Sequence, residues 1–248
     1  MRIFGFSLLG LLAIVDLASS QVTDVPSSKK TDLPMYRPAL LGTGANSLIN
    51  RIDTQDLIKK GQKDAAIMFN CSVRKTGEVE WSGTYRGTPD SKLLDQEVRK
   101  RLRDAKFIPA VYNHMTVAAI YYGTVTFTVV DGRPRLRIFA NQQAEELVKE
   151  SDFIGPQPFY GPDSRFTGFH YPGDIPVPVD GVALLEIKVD ALGNPQELKV
   201  RSEEPPFLGF GDAAAADFGK AKFIPAFRDG KPTVCNVTVP VYYKSPNF

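Results

Sequence analysis

Few side chains in this chain of 248 residues are suited to catalysis or metal binding, and those few lie far apart. The sequence has two histidines, His114 and His170, and two cysteines, Cys71 and Cys235. Metal sites hold such ligands at short, regular spacing, and neither histidine has a cysteine or carboxylate placed that way. The serine elbow, HExxH and paired CxxC motifs do not occur. The sequence therefore predicts a non-enzymatic protein with no catalytic residue, no cofactor and no metal.

His170 offers an alternative, which is an enzyme or a small-ligand binder. It lies in a segment rich in proline, glycine and aromatic residues, 155–181, which could form a cleft between two domains. His170 would then act as a base beside Asp163 or Asp174. The sequence shows no nucleophile to accompany it, and both histidines are predicted to lie in surface loops.

The two cysteines are predicted to be core residues. In an alternating strand pattern, Cys71 falls on the same face as Phe69 and Val73, and Cys235 falls on the same face as Val237. A buried cysteine behaves as a small hydrophobic residue. A disulfide in an oxidising compartment is the alternative, and it would have to link two domains.

The charged residues predict solvated surfaces and no nucleic-acid site. The formal net charge is +2, with 23% charged and 43% hydrophobic residues, which is ordinary for a globular protein. The pairs Glu145-Glu146 and Glu203-Glu204 are interpreted as solvated faces. The basic run 99–103 is interpreted as the outer face of an amphipathic helix, with contact to anionic lipid or polysaccharide as the alternative.

The hexapeptide "AKFIPA" occurs twice, at 105–110 and at 221–226. The same offset also aligns Val73 with Val189 and Gly77 with Gly193, so the match extends beyond the hexapeptide. The sequence therefore contains two copies of one unit. In each copy the hexapeptide is predicted to form the corner between a helix and the following strand.

Each unit is predicted to contain a strand, a turn, a strand, a helix and a strand. The fold class is α+β, with two tandem small domains that each pack a short antiparallel sheet on one helix. The helix of the first copy is expected from Pro89–Ser91 to about Asp104. The first copy continues into an extra strand, Pro134–Phe139, which would cover the edge that the second copy leaves open. Pro240 interrupts the last strand, 235–243, and indicates that this strand is an edge strand.

The N-terminal residues suggest export. An apolar run from Ile3 to Val15, cut off by Asp16, is too short to span ~30 Å of hydrocarbon but suits a signal peptide. We expect a signal peptide at 1–20 with cleavage near Ser20; an uncleaved anchor is the alternative. An irregular segment, 21–50, a first domain, 51–140, an ordered interdomain segment, 141–170, and a second domain, 171–248, would follow. No stable membrane insertion of the mature protein is predicted, which makes it periplasmic or secreted.

Once these elements are aligned, the second copy resembles the C-terminal domain of TonB, the periplasmic energy-transducing protein. The matching motifs are "GVALLEIKVDALGN" (181–194), an alanine-rich helix, "AKFIPAFRDGKP" (221–232) and "VTVPVYY" (237–243), with Tyr171-Pro172 ahead of them. The first copy is similar but degenerate. The resemblance implies a small α/β unit whose last strand pairs with a short segment of an outer-membrane transporter. The chain shows neither a retained anchor nor a long proline-rich spacer, so energy transduction is not expected.

The function predicted from these observations is a non-enzymatic interaction module of the cell envelope. Its partner would be a protein or extended peptide that adds a strand to the last strand of the second copy, with a link to outer-membrane transport. A self-associating structural envelope protein, which would form a homodimer, is the alternative. The predicted binding residues are Val237, Thr238, Val239, Val241, Tyr242 and Tyr243.

Overall fold

The computed structural model describes residues 32–173, 175 and 179–245. The predicted signal peptide, 1–20, with its cleavage near Ser20, lies outside the described residues, as does the first part of the irregular segment 21–50. Within the second part of that segment, the chain already forms a short strand and the start of a helix.

Alternating hydrophobic residues produce most of the strands. The helices are α1 (Leu48–Arg51), α2 (Thr54–Lys59), α3 (Lys92–Leu102), α4 (Ala144–Lys149) and α5 (Phe210–Gly219). The strands are β1 (Tyr36–Arg37), β2 (Ala65–Val73), β3 (Val79–Gly87), β4 (Ala110–Tyr112), β5 (Met115–Val130), β6 (Arg133–Phe139), β7 (Gln157–Tyr160), β8 (Gly181–Val189), β9 (Pro195–Glu204), β10 (Phe223–Ile224), β11 (Ala226–Arg228), β12 (Lys231–Thr233) and β13 (Cys235–Tyr243). The mixed α/β class with a high strand content agrees with the prediction.

The sheet of the first copy is centred on β2 and β5. β2 pairs antiparallel with β3 on one edge and with β5 on the other. β5 also pairs with β6, which confirms that the extra strand covers this edge. The apolar stripe of α3 packs on β2 and β3, with Leu94, Val98 and Leu102 fully buried. The free-energy gain of this burial fixes which face of the helix meets the sheet.

The second copy repeats the same arrangement. β8 pairs antiparallel with β9 on one edge and with β13 on the other, in the order β13-β8-β9. α5 packs on β8 and β9 through Phe210, Ala214 and Phe218, which are fully buried. Phe218 thus takes the place that Leu102 has in the first copy.

The turn and the hexapeptide corner of each copy are joined by a backbone hydrogen bond. The Phe107 N–H donates to the Gly77 carbonyl at 2.8 Å, and the Phe223 N–H donates to the Gly193 carbonyl at 2.9 Å. Both glycines have positive φ, +85° and +82°, and a Cβ on either would collide with the carbonyl oxygen of the same phenylalanine. The hexapeptide therefore recurs because each copy locks its hairpin turn onto its own helix-to-strand corner.

The two copies share their hydrophobic cores. Ile224 and Phe227 of the second copy are packed in the core of the first, and Ile120 and Tyr122 of the first are packed in the core of the second. The chain from Asp32 onward forms one compact unit. The boundaries of two separate domains, 51–140 and 171–248, stay a prediction.

The segment between the copies is more regular than predicted. Its composition indicated an ordered coil, but residues Gln157–Tyr160 form β7, which pairs with both β5 and β10. Pro158 fits in β7 because the strand is only four residues long and its ladders are short. Over the described ranges, no helix is long and apolar enough to cross a membrane.

Candidate functional site

The predicted site, β13, is paired along one edge. Its register with β8 runs without interruption from Cys235 opposite Val189 to Tyr243 opposite Gly181. Within residues 32–173, 175 and 179–245, no strand pairs with its other edge. Four of the predicted site residues have buried side chains in the second core: Val237, Val239, Val241 and Tyr243. These side chains hold the strand in place, and only its backbone and its opposite face are open to a partner.

The open edge of β13 carries the backbone groups of alternate residues. The side-chain amide of Gln143 donates to the Thr238 carbonyl at 3.4 Å, which assigns the polar backbone groups of Thr238 to this edge. Residues two positions apart in an antiparallel strand direct their N–H and C=O to the same edge, so Pro240 belongs there as well. The ladder with β8 therefore loses no donor at Pro240, and this is the orientation that the sequence predicted.

The middle of this edge lies against the segment between the copies. Val237 to Val239 face Asn141 to Gln143 and Gly155-Pro156 across a gap of about 20 Å³, which is about the space of one water molecule. Asn141 is fixed there because its side-chain amide donates to the Phe153 carbonyl at 2.8 Å. A strand that pairs with the whole edge must therefore displace Gln143 and its neighbours.

Helix α4 is tied to the second copy by an ion pair. Arg228 contacts both carboxylate oxygens of Glu146, at 2.6 and 3.1 Å, and its guanidinium lies 4.9 Å from the centre of the Phe153 ring. Hydrogen bonds from Arg228 and Ser151 hold the pKa of Glu146 below its ordinary value. The solvated face predicted for Glu145-Glu146 is thus wrong for Glu146, whose side chain is only 15% exposed. This bidentate pair holds α4 beside the edge of β13.

The solvated face predicted for Glu203-Glu204 is also wrong for one of its two members, Glu203. Glu203 accepts hydrogen bonds from the N–H groups of Leu208, Gly209 and Gly211, at 3.0, 3.4 and 2.6 Å. It therefore satisfies donors in the first turn of α5 and in the loop before it, although it precedes the helix by seven residues. Glu204 is exposed, as predicted.

A cavity of about 780 Å³ opens on the other face of the second sheet. One wall is the face of β13, β8 and β9 opposite α5, and it includes Pro240, Tyr242 and Leu184. The facing wall comes from the first copy and from α4, and it includes Tyr85 and Arg86. The strand pairing predicted for Tyr242 stays a prediction, and its ring lies against the Tyr85 ring with centroids 4.7 Å apart and planes tilted by 31°. Tyr85 and Arg86 were missed because residues distant in sequence form the cavity, and no local pattern signals it.

His170 is part of a polar contact on the surface. Its Nδ1 lies 2.7 Å from Asp217 Oδ1, and its backbone N–H donates to Asp217 Oδ2 at 2.8 Å. The His170 side chain is 62% exposed and fixes the connecting segment to α5. Of the two carboxylates expected beside it, Asp163 instead accepts from the Tyr112 hydroxyl, and Asp174 lies outside the described residues.

Two aromatic residues of this segment lie in the protein interior. Phe159 is fully buried in the first core, and Phe166 is buried in the second. These two rings are therefore not exposed to a cleft next to His170. The other histidine, His114, has a hydrogen-bond contact with the Leu33 carbonyl at 2.7 Å.

Both cysteines carry free thiols. Cys71 is buried, as predicted, and Cys235 is half-buried at the border of the second core and the cavity. Burial raises the pKa of Cys235 to about 12 and that of Cys71 still further, so both stay protonated at neutral pH. In the described part of the chain, no group of three or more His, Cys, Asp or Glu residues could hold a metal ion.

The second copy matches a known family. Residues 178–245 match the model described as Gram-negative bacterial TonB protein C-terminal, and the matched range spans β8, β9, α5 and β13. No curated protein and no solved structure matches the chain. The family is one of non-enzymatic protein-interaction domains of the cell envelope. The segment 178–245 of this chain is therefore a TonB C-terminal-like domain.

Proposed function

We propose that this protein is an exported interaction module of the bacterial cell envelope that binds a partner protein by strand addition to β13. The partner contributes an extended segment, as a transporter of the outer membrane would. Of the six predicted residues, Thr238 and Tyr242 meet it through their backbone groups. The other four, Val237, Val239, Val241 and Tyr243, hold the strand in place through their buried side chains and their ladder with β8. The first copy positions this edge and is not itself the binding surface, because β6 already covers the corresponding edge of β5.

The observation that carries this proposal is that β13, within a TonB C-terminal-like domain, pairs with β8 on one edge and with no described strand on the other. An edge strand offers unpaired N–H and C=O groups that an extended peptide can bind. The Thr238 carbonyl accepts from a side-chain amide, at 3.4 Å, and no strand of the described residues pairs with it on this edge. An incoming strand replaces this long hydrogen bond with a regular ladder, and that replacement favours release of Gln143.

The test is crosslinking and capture from envelope extracts with the mature protein and the variant Thr238→Pro. Proline at 238 removes the N–H that faces the open edge and leaves the β8 ladder intact, so the partner should be lost. Thr238→Val is the matched control, because it keeps the backbone N–H and changes only the side chain. Circular dichroism establishes that both variants are folded.

A partner captured by the wild type and by Thr238→Val, but not by Thr238→Pro, supports strand addition. Equal capture by both variants contradicts it and assigns binding to another surface. Self-association through the same edge is the second candidate. It predicts a dimer in light scattering for the wild type and a monomer for Thr238→Pro, in the absence of any extract.

A further inference from the structure

The cavity between the two sheets contains polar groups that the protein leaves without acceptors. The Tyr85 hydroxyl is buried, and among the described residues its proton has no acceptor within hydrogen-bond distance. Burial raises the pKa of this phenol, whereas a side-chain hydrogen bond from Gln142 lowers it, which is the effect of a donor, so Gln142 supplies no acceptor for the hydroxyl proton. The amide nitrogen of Gln142 also donates to the carbonyls of Phe69 and Gly123, at 3.0 and 3.1 Å. A buried donor without an acceptor costs free energy, and a bound ligand would recover it.

Arg86 provides a second unused donor group beside Tyr85. In the part of the chain that the structure describes, it forms no ion pair, whereas Arg228 on the same cavity is neutralised by Glu146. The charge of Arg86 acts on both Tyr85 and Tyr242 and opposes the rise in pKa that burial causes in these phenols. Because burial outweighs the charge of Arg86, the pKa of both phenols still lies above its ordinary value. Both phenols are therefore neutral at physiological pH and can donate hydrogen bonds.

The rest of the cavity supplies apolar contacts. Met68 of the first copy and Val182, Leu184 and Pro240 of the second line the space between the sheets. The volume, about 780 Å³, lies in the range of small-molecule sites, roughly 300–1,000 Å³. Glu145 and Glu204 also line the cavity, where their charges oppose an anion, and among the described residues neither forms an ion pair with Arg86 that would cancel its positive charge. An anionic group therefore finds its donors at Arg86, while an apolar body fits along the sheet faces.

We propose that this cavity binds a small organic carboxylate whose anionic group is held by Arg86, Tyr85 and Tyr242. The apolar body of the ligand lies on the face of β8 and β13 opposite α5. A guanidinium and two phenols form charge-assisted hydrogen bonds with a carboxylate. The site uses the side chain of Tyr242, whereas strand addition uses the backbone of β13, so it does not depend on strand addition. The carboxylate can belong to a free acid or to the C terminus of a short peptide.

Isothermal titration of the full chain with octanoate and with octanol tests the anionic requirement. We expect octanoate to bind saturably at one site per chain and at least about tenfold more tightly than octanol, because the alcohol forms no ionic hydrogen bond. N-acetyl-Ala-Leu-Ala with a free or an amidated C terminus tests the peptide source in parallel. Tighter binding of either carboxylate than of its neutral analogue supports the site. The preferred carboxylate also shows whether the ligand is a free acid or the C terminus of a peptide.

Variants locate the site. Arg86→Gln should weaken octanoate binding at least about tenfold, and Tyr85→Phe should weaken it about threefold to tenfold. Arg133→Gln is the matched control, since Arg133 is exposed, lies outside the cavity and forms no ion pair with any residue that the structure describes. Arg86 is exposed enough that the variant should fold, and thermal unfolding checks this.

Three results would each overturn the proposal. The first is that neither carboxylate binds saturably, and the second is that neither binds more tightly than its neutral analogue. The third is that Arg86→Gln binds the carboxylate as tightly as Arg133→Gln does. Loss of octanoate binding in Arg86→Gln with partner capture unchanged would show that the cavity and the strand edge act separately.

Discussion

At the scale of single residues, Glu203 shows how one carboxylate can set the start of a helix from outside it. Its three hydrogen bonds connect the end of β9 to the loop before α5 and to the first turn of the helix. The negative charge also lies at the end of α5 where the N–H groups are unpaired. Glu203 therefore orients α5 on the sheet, and the neighbouring Glu204 does not.

Replacement of Glu203 should therefore destabilise the protein. We expect Glu203→Ala to lower the free energy of unfolding by about 1–3 kcal/mol, because three N–H groups lose their acceptor. Glu204→Ala removes the same charge from an exposed neighbour and should change stability by less than about 0.5 kcal/mol. Urea unfolding monitored by circular dichroism measures both, and equal effects would show that only the net charge matters.

At the scale of elements, the contact between turn and corner explains the repeated hexapeptide. Gly193 has a φ of +82° and lies against the carbonyl of Phe223, whereas Gly230 has a φ of +70° and no atom near its missing side chain. Gly230→Ala should cost about 1 kcal/mol of backbone strain. Gly193→Ala should cost at least about 2 kcal/mol more, since its methyl group collides with the carbonyl. Chemical denaturation of the two variants compares them, and similar losses would refute the locking role of this contact.

Local sequence patterns predicted these elements well, and long-range contacts account for what they missed. The range 235–243 of the last strand and the extra strand near Pro134–Phe139 followed from alternation and from the repeat. The strand β7 did not, because its pairing with β5 and β10 depends on how the copies meet. The cavity at Tyr85 and Arg86 was missed for the same reason. Alternation identifies which face of a strand is apolar, but it does not identify what covers the other face.

At the scale of the whole molecule, the two copies depend on each other. β10 of the second copy pairs with β7, which pairs with β5 of the first, so hydrogen-bonded strands run from one copy into the other. Ile224 is fully buried in the core of the first copy. A shared core makes the unfolding of one copy costly for the other, and this favours a single cooperative transition.

The single tryptophan makes this coupling measurable. Trp81 lies on β3 of the first copy, and Leu185 is fully buried in the core of the second. Leu185→Ala should destabilise the protein by about 2–5 kcal/mol. If the copies unfold together, the urea midpoint of Trp81 fluorescence should fall as far as the midpoint from circular dichroism. Val130→Ala, at an exposed position of the first copy, should leave both midpoints unchanged. A Trp81 midpoint that stays at its wild-type value in Leu185→Ala would instead show two domains that fold independently.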